Sequence, residues 1–178
     1  YRFALKLKKI NTLSSDLFSF EFEKPKNFSF APGQYMEWTL PHKKPDIRGN
    51  RRFFSIASSP TENNILLSIR KYNPSSSFKT ALGEMKQGSK IIAASLGGDF
   101  VLPKDTSKPT VFIAGGIGIT PFRSMIQYVV DKKIKTNIVL FYLIKKKEDF
   151  VFSDILKKAE DFGVYTIEVI SDYSAPVT

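Results

Sequence analysis

The chain has 178 residues, 42% hydrophobic and 13% aromatic, enough for one large domain or two small ones with real cores. It has no cysteine, which excludes disulfides, Cys-ligated iron–sulfur clusters and thiol redox chemistry in this stretch, and its single histidine, His42, argues against a His-based metal site. The net charge of +10 would draw the chain toward an anionic partner, but the lysines are scattered, and the densest run, Lys145-Lys146-Lys147, meets Glu148 and Asp149 at once, which reads as a solvated face.

The N-terminus carries no signal-peptide pattern, and no apolar run approaches the roughly 18–20 residues of a membrane span. The missing initiator Met suggests a piece of a longer protein. From residue 3 the sequence reads as β-rich. Short runs of β-branched and aromatic residues at 3–10, 18–23, 34–40, 52–57, 65–72 and 91–94 predict six strands. Strict alternation within 18–23 marks a strand with one wet face. Turn residues separate the runs, as in Ala31-Pro32-Gly33 and Ser59-Pro60-Thr61-Glu62-Asn63-Asn64. His42, between Pro41 and Lys43, is expected at the surface of a polar loop. A short helix is predicted over 77–85. Six strands at this spacing suggest a barrel or sandwich.

The pattern changes after the polar, Pro-bounded linker 102–109. A continuous apolar strand over 110–114 is expected to be covered on both faces. A helix over 121–130, a strand over 137–144, a helix over 150–162 and a strand over 164–170 follow. This β-α-β-α-β order predicts a parallel sheet, half the usual nucleotide-binding size.

Two segments carry chemistry. In Arg51-Arg52-Phe53-Phe54-Ser55-Ile56-Ala57-Ser58-Ser59-Pro60, strand alternation puts Arg52 and Phe54 on one face. The guanidinium suits a phosphate, the ring suits a flat heterocycle, and the Ser55 hydroxyl can donate to a ring nitrogen. An ordinary strand with a core Phe and a surface Arg is equally compatible with these residues, and so is a single-strand nucleic-acid barrel. In Ala114-Gly115-Gly116-Ile117-Gly118-Ile119-Thr120-Pro121, glycines open a helix after a buried strand, where free amides favour a pyrophosphate. Thr120 can cap the helix or meet a ligand oxygen, and Pro121 suits its first turn. No Lys-Ser/Thr follows, so this is not a Walker loop, and a merely tight strand–helix turn stays open.

With these residues in view, the chain resembles the ferredoxin–NADP+ reductase superfamily. Arg52-Phe53-Phe54-Ser55 looks like its R-x-[YF]-S flavin motif, and Pro32-Gly33-Gln34-Tyr35 like its P-G-Q-[YF] strand start. Ser77-Phe78-Lys79 resembles the segment that cradles the flavin pyrophosphate, Gly97-Gly98-Asp99-Phe100-Val101-Leu102-Pro103 the barrel exit, and Gly115–Pro121 the nicotinamide loop. The stretch from Glu37 to Gly49, with Pro45-Asp46-Ile47-Arg48-Gly49, is similar to members of a membrane-linked bacterial branch. The family's later C-G-P segment is not in these residues, so the resemblance implies a complete flavin half followed by a truncated nicotinamide half.

The resemblance implies an antiparallel six-stranded Greek-key β-barrel that binds flavin over residues 1–104. A partial α/β parallel-sheet nucleotide-binding domain follows over 105–178. It implies FAD rather than FMN, with NADH or NADPH as substrate, and no metal. Arg52 would bind flavin phosphate, Phe54 would stack on the isoalloxazine, and Ser55 would bond near N5 as the catalytic residue. Phe53, Arg70, Ser76, Ser77, Phe78 and Lys79 would complete the flavin site; Gly115, Gly116, Gly118 and Thr120 would hold NAD(P)H. The implied activity passes a hydride from NAD(P)H to flavin N5, then electrons to an unknown acceptor. A membrane domain or an iron–sulfur partner could lie outside this chain. The expected place is the cytoplasm, at the membrane face if a flanking anchor exists. A flavin-binding sensor without turnover is the alternative; a nucleic-acid-binding barrel is remote.

Overall fold

The structure is a computed structural model that describes residues 2–171. Its first half is built from β1 (Arg2–Thr12), β2 (Leu17–Glu23), β3 (Tyr35–Thr39), β4 (Arg51–Ser55), β5 (Asn64–Arg70) and β6 (Lys90–Gly97). These form one antiparallel sheet of order β4-β3-β6-β1-β2-β5. In β2 the alternation sends Phe20 and Phe22 into the core, while Glu21 accepts from the side chains of Asn11 and Asn64. The sheet curls over Trp38, Leu67, Ile69 and Ile91, all buried. The expected barrel is left open: β4 and β5 are the sheet's edges and share no ladder. Just past β4, the Ala57 N–H donates to the Leu66 carbonyl at 2.9 Å, so the edges touch there.

Helix α1 (Ser77–Gly83) plugs one mouth of the curl with Phe78 and Leu82. The Ser76 side chain caps it by accepting the Lys79 N–H at 3.3 Å. Gly33 turns the chain into β3 with a φ of +105°, and a Cβ there would lie 2.2 Å from the Phe100 carbonyl oxygen. Only glycine fits that turn.

The second half contains β7 (Thr110–Gly115), α2 (Thr120–Asp131), β8 (Ile138–Ile144), α3 (Ser153–Ala159) and β9 (Val164–Ile170). The strands pair in parallel in the order β7-β8-β9. The helix expected over 150–162 is shorter. Phe152 is left-handed (φ 63°), so α3 starts after it, and a 3-10 turn closes the segment over Glu160–Phe162. The apolar residues Phe150 and Val151 suggested helical spacing, yet they reach the core from the entry loop. Helices α2 and α3 cover one face of the sheet through Phe122, Met125, Ile126, Val129 and Leu156. Cover on both faces was expected; among the described residues, the other face exposes Val111, Ile113, Tyr165 and Ile167.

A polar seam joins the halves. Ser124 Oγ donates to the Ser58 carbonyl at 2.7 Å, and Arg123 Nη1 to the Ala57 carbonyl at 3.1 Å. Arg123 also pairs with Glu62, Nη2 to Oε1 at 2.9 Å. Leu17 of β2 packs into the core of the second half. No helix among the described residues is long and apolar enough to cross a membrane.

Candidate functional site

Strand alternation on β4 turns Arg52 and Phe54 toward α1, as the sequence predicts. The Arg52 guanidinium lies 5.5 Å from the Phe78 ring centroid, and the Phe54 and Phe78 centroids are 5.8 Å apart. Phe54 is half-buried, whereas Phe53 faces outward and meets Tyr35 edge-on at 5.7 Å. Ser55 is half-buried at the strand end, paired in register with Tyr35. Phe78 is wholly buried, so anything bound beside α1 meets its backbone and not its ring.

Arg52 is only 5% exposed, and both terminal nitrogens of its guanidinium are engaged. Nη1 donates to the carbonyls of Arg48, Gly49 and Arg51 at 2.9, 2.9 and 2.7 Å. Nη2 donates to both Asp46 oxygens, at 2.8 and 3.0 Å. Asp46 Oδ2 also accepts the Ser77 N–H at 3.2 Å, and the Asp46 N–H donates to Ser77 Oγ at 2.9 Å. Burial raises the Asp46 pKa, but the bonds from Arg52, Arg48 and Ser77 outweigh it and hold the carboxyl below its ordinary value.

His42 joins this cluster and is half-buried, a correction to the expected surface position. Its Nδ1 lies 2.7 Å from the Leu40 carbonyl and its Nε2 2.9 Å from Ser77 Oγ. A carbonyl only accepts, so Nδ1 carries a proton and donates to it, and Nε2 shares a hydrogen bond with the Ser77 hydroxyl.

Lys79 extends the cationic corner. Its pKa is lowered, first by burial and then by the charges of Arg48 and Arg52. Three cations held this close favour an anion beside them.

The glycine loop lies across the seam. Gly116–Ile119 is a 3-10 turn leading into α2, with Pro121 in the first helical turn. A Cβ on Gly115 or Gly118 would meet no atom within 4 Å, so the chain's own packing does not require glycine there. Thr120 is buried and its hydroxyl donates to the Ile117 carbonyl at 3.2 Å, which shapes the turn from within. Gly115, Gly116 and Ile117 share a cleft of about 340 Å³ with Lys79, Arg70 and Tyr72, joining the flavin-type half to the glycine loop.

Arg70 anchors that cleft. It is 6% exposed, with Nη1 3.1 Å from Asp16 Oδ2 and Nη2 3.2 Å from Asp149 Oδ2. Its guanidinium is thus committed to two carboxylates, one fully buried. Lys79 Nζ donates to the Arg70 carbonyl at 2.7 Å. Sequence reasoning missed Asp46, His42, Arg123 and Glu62 as parts of the site. The quoted run Pro45-Asp46-Ile47-Arg48-Gly49 held the one available signal, an acidic residue six positions before Arg52.

The donors and surfaces fit a dinucleotide carrying a flat ring: a buried guanidinium, a cationic corner, open glycine backbone and a half-buried aromatic. Comparison with known proteins agrees. The model of an FAD-binding domain matches residues 2–120, and that of an oxidoreductase NAD-binding domain matches 112–168. Sulfhydrogenase 2 subunit gamma of Pyrococcus furiosus is 35% identical over 163 residues, spanning 86% of this chain and 53% of that protein. The chain thus spans about half the length of that relative. The solved cytochrome P450 reductase of Amycolatopsis shares the fold with a TM-score of 0.83 at 21% identity, over 99% of this chain and 54% of that one. A ferredoxin NADP+ reductase from Neisseria gonorrhoeae with bound FAD and NADP gives 0.80 at 19%, over 98% and 70%. The chain belongs to the family of FAD-binding oxidoreductase domains joined to an NAD-binding domain, and it has the fold of the ferredoxin–NADP+ reductases.

Proposed function

We infer that the chain is the flavin-binding and nicotinamide-docking module of an NAD(P)H oxidoreductase, one that delivers electrons to a separate acceptor. When bound, FAD supplies the chemistry, taking a hydride from a nicotinamide and releasing electrons onward. The observation that carries the reading is the cationic corner of Arg52, Arg48 and Lys79, beside Phe54 on the seam to the glycine loop.

In this reading Arg52 and the Ser77 and Phe78 amides hold the phosphates, with the Lys79 ammonium beside them. Phe54 lines the flat ring and Ser55 places a hydroxyl at its reactive edge. Gly115, Gly116 and Gly118 let backbone amides approach the second dinucleotide. Arg70 and Thr120 act indirectly, fixing the cleft wall and the turn. No side chain is asked to be an acid or base. The acceptor is a one-electron carrier such as an iron–sulfur protein or a membrane redox partner. Lys145–Lys147 would favour a 2′-phosphate. Of the two acids that follow, only the exposed Glu148 opposes it, because Asp149 is buried against Arg70, a correction to the solvated face expected there. The resemblance to the membrane-linked branch tilts the choice toward NADH.

The test is spectroscopic. Purified chain mixed with FAD and desalted should keep visible flavin bands, and NADH should bleach them without oxygen. Arg52→Ala should weaken FAD binding by roughly ten- to a hundredfold, as loss of a charge-assisted phosphate bond does. A colourless wild-type protein sinks the reading; a yellow one that NADH leaves oxidised favours a flavin sensor without turnover.

A further inference from the structure

We propose that Asp46 is a built-in competitor of the flavin phosphate, a carboxylate that must leave Arg52 before the cofactor can seat. The inference rests on the reading above that Arg52 is a phosphate ligand. A carboxylate chelated by a guanidinium presents two oxygens much as a phosphate does. Here both oxygens sit on Nη2, at 2.8 and 3.0 Å, and one of them also accepts the Ser77 N–H at 3.2 Å. One side chain therefore covers two of the donors assigned to phosphate oxygens.

The other terminal nitrogen is not on offer, because three carbonyls hold Nη1. A phosphate oxygen at Nη2 must replace Asp46, since two anions on one nitrogen repel at close range. Asp46 is free to yield where Arg52 is not. Its side chain is 30% exposed against 5% for Arg52, and the neighbouring Ile47 stands fully in solvent. The backbone around it stays tethered, through the Asp46 N–H and the His42 ring, both on Ser77 Oγ. A change of side-chain rotamer swings the carboxylate outward at the cost of its bond from the Arg48 N–H, at 2.9 Å, while the two tethers on Ser77 hold the loop.

The consequence is a reduced apparent affinity, scaled by the fraction of molecules in which Arg52 is uncovered. Neutralising Asp46 removes the competitor. In flavin-stripped protein titrated with FAD, followed by quenching of flavin fluorescence, Asp46→Asn should bind FAD roughly three- to tenfold more tightly than wild type. Asp46→Ser gives the same readout should the first variant fail to fold, with circular dichroism checking both. Unchanged or weaker FAD binding in a folded variant overturns the proposal and makes Asp46 a positioning residue for Arg52. Arg52→Ala, titrated alongside, separates the two readings. If it binds FAD as wild type does, the assignment of Arg52 as phosphate ligand has failed, whatever the Asp46 variants do.

Discussion

Tyr142 stands in the middle strand of the parallel sheet with none of its surface in solvent. Its hydroxyl donates to the Asp149 carbonyl at 3.2 Å. Burial, ahead of every other influence, pushes its pKa up to about 12 from an ordinary 10.0. The folded chain therefore keeps a proton that the unfolded chain sheds. The stability this represents is whole below pH 10 and is lost as pH rises toward about 12, in all roughly 2–3 kcal/mol. In urea melts between pH 9 and pH 11.5, wild type should lose stability more steeply than Tyr142→Phe; parallel slopes would refute this. At this scale the sequence was legible where chemistry is carried by residue type. Arg52, Phe54 and the glycines stand out as candidates by residue type and spacing alone. Asp46 and His42 do not, because their roles come from a loop folded back onto α1, and loops carry no periodicity to read.

The elements were nearly all legible, since period two and period 3.6 are written in the apolar residues themselves. The nine strands among the described residues lie close to their expected spans, and β9 matches its span fully. What pattern could not give was closure: whether β4 and β5 pair depends on the curl of the whole sheet. It also missed the left-handed Phe152 that shortens α3, since apolar residues serve a helix or an entry loop equally. Among the turns, Gly33 bears the sharpest constraint. Gly33→Ala adds a methyl group against the Phe100 carbonyl and the Met125 methyl, at 2.2 and 2.5 Å, on a backbone of φ +105°. Strain and clash together should cost about 3 kcal/mol or more, read as a large fall in Tm. A fall of only a degree or two would show that the β3 entry relaxes freely.

Across the whole molecule, the Arg70–Asp149 pair stitches β5 to the loop after β8. Asp149 is fully buried, and neither of its carboxylate oxygens makes a well-aligned hydrogen bond, so its charge depends on Arg70. Arg70→Met strands that charge and should lower stability by about 3–5 kcal/mol, whereas Arg70→Met with Asp149→Leu should recover most of it. Thermal melts of the single and double variants decide; a single variant as stable as wild type would mean that water reaches Asp149. The seam near α2 has a different consequence. Arg123 and Ser124, in the first turn after the glycine loop, grip the carbonyls of Ala57 and Ser58, two and three residues beyond Ser55. In the proposed reading the two cofactor platforms therefore share one mount. A shift of the nicotinamide end would carry the flavin end along with it. Reaction between bound partners is sensitive to displacements on the order of 1 Å, so correlated motion of this kind guards donor–acceptor distance better than two stiff but independent halves would.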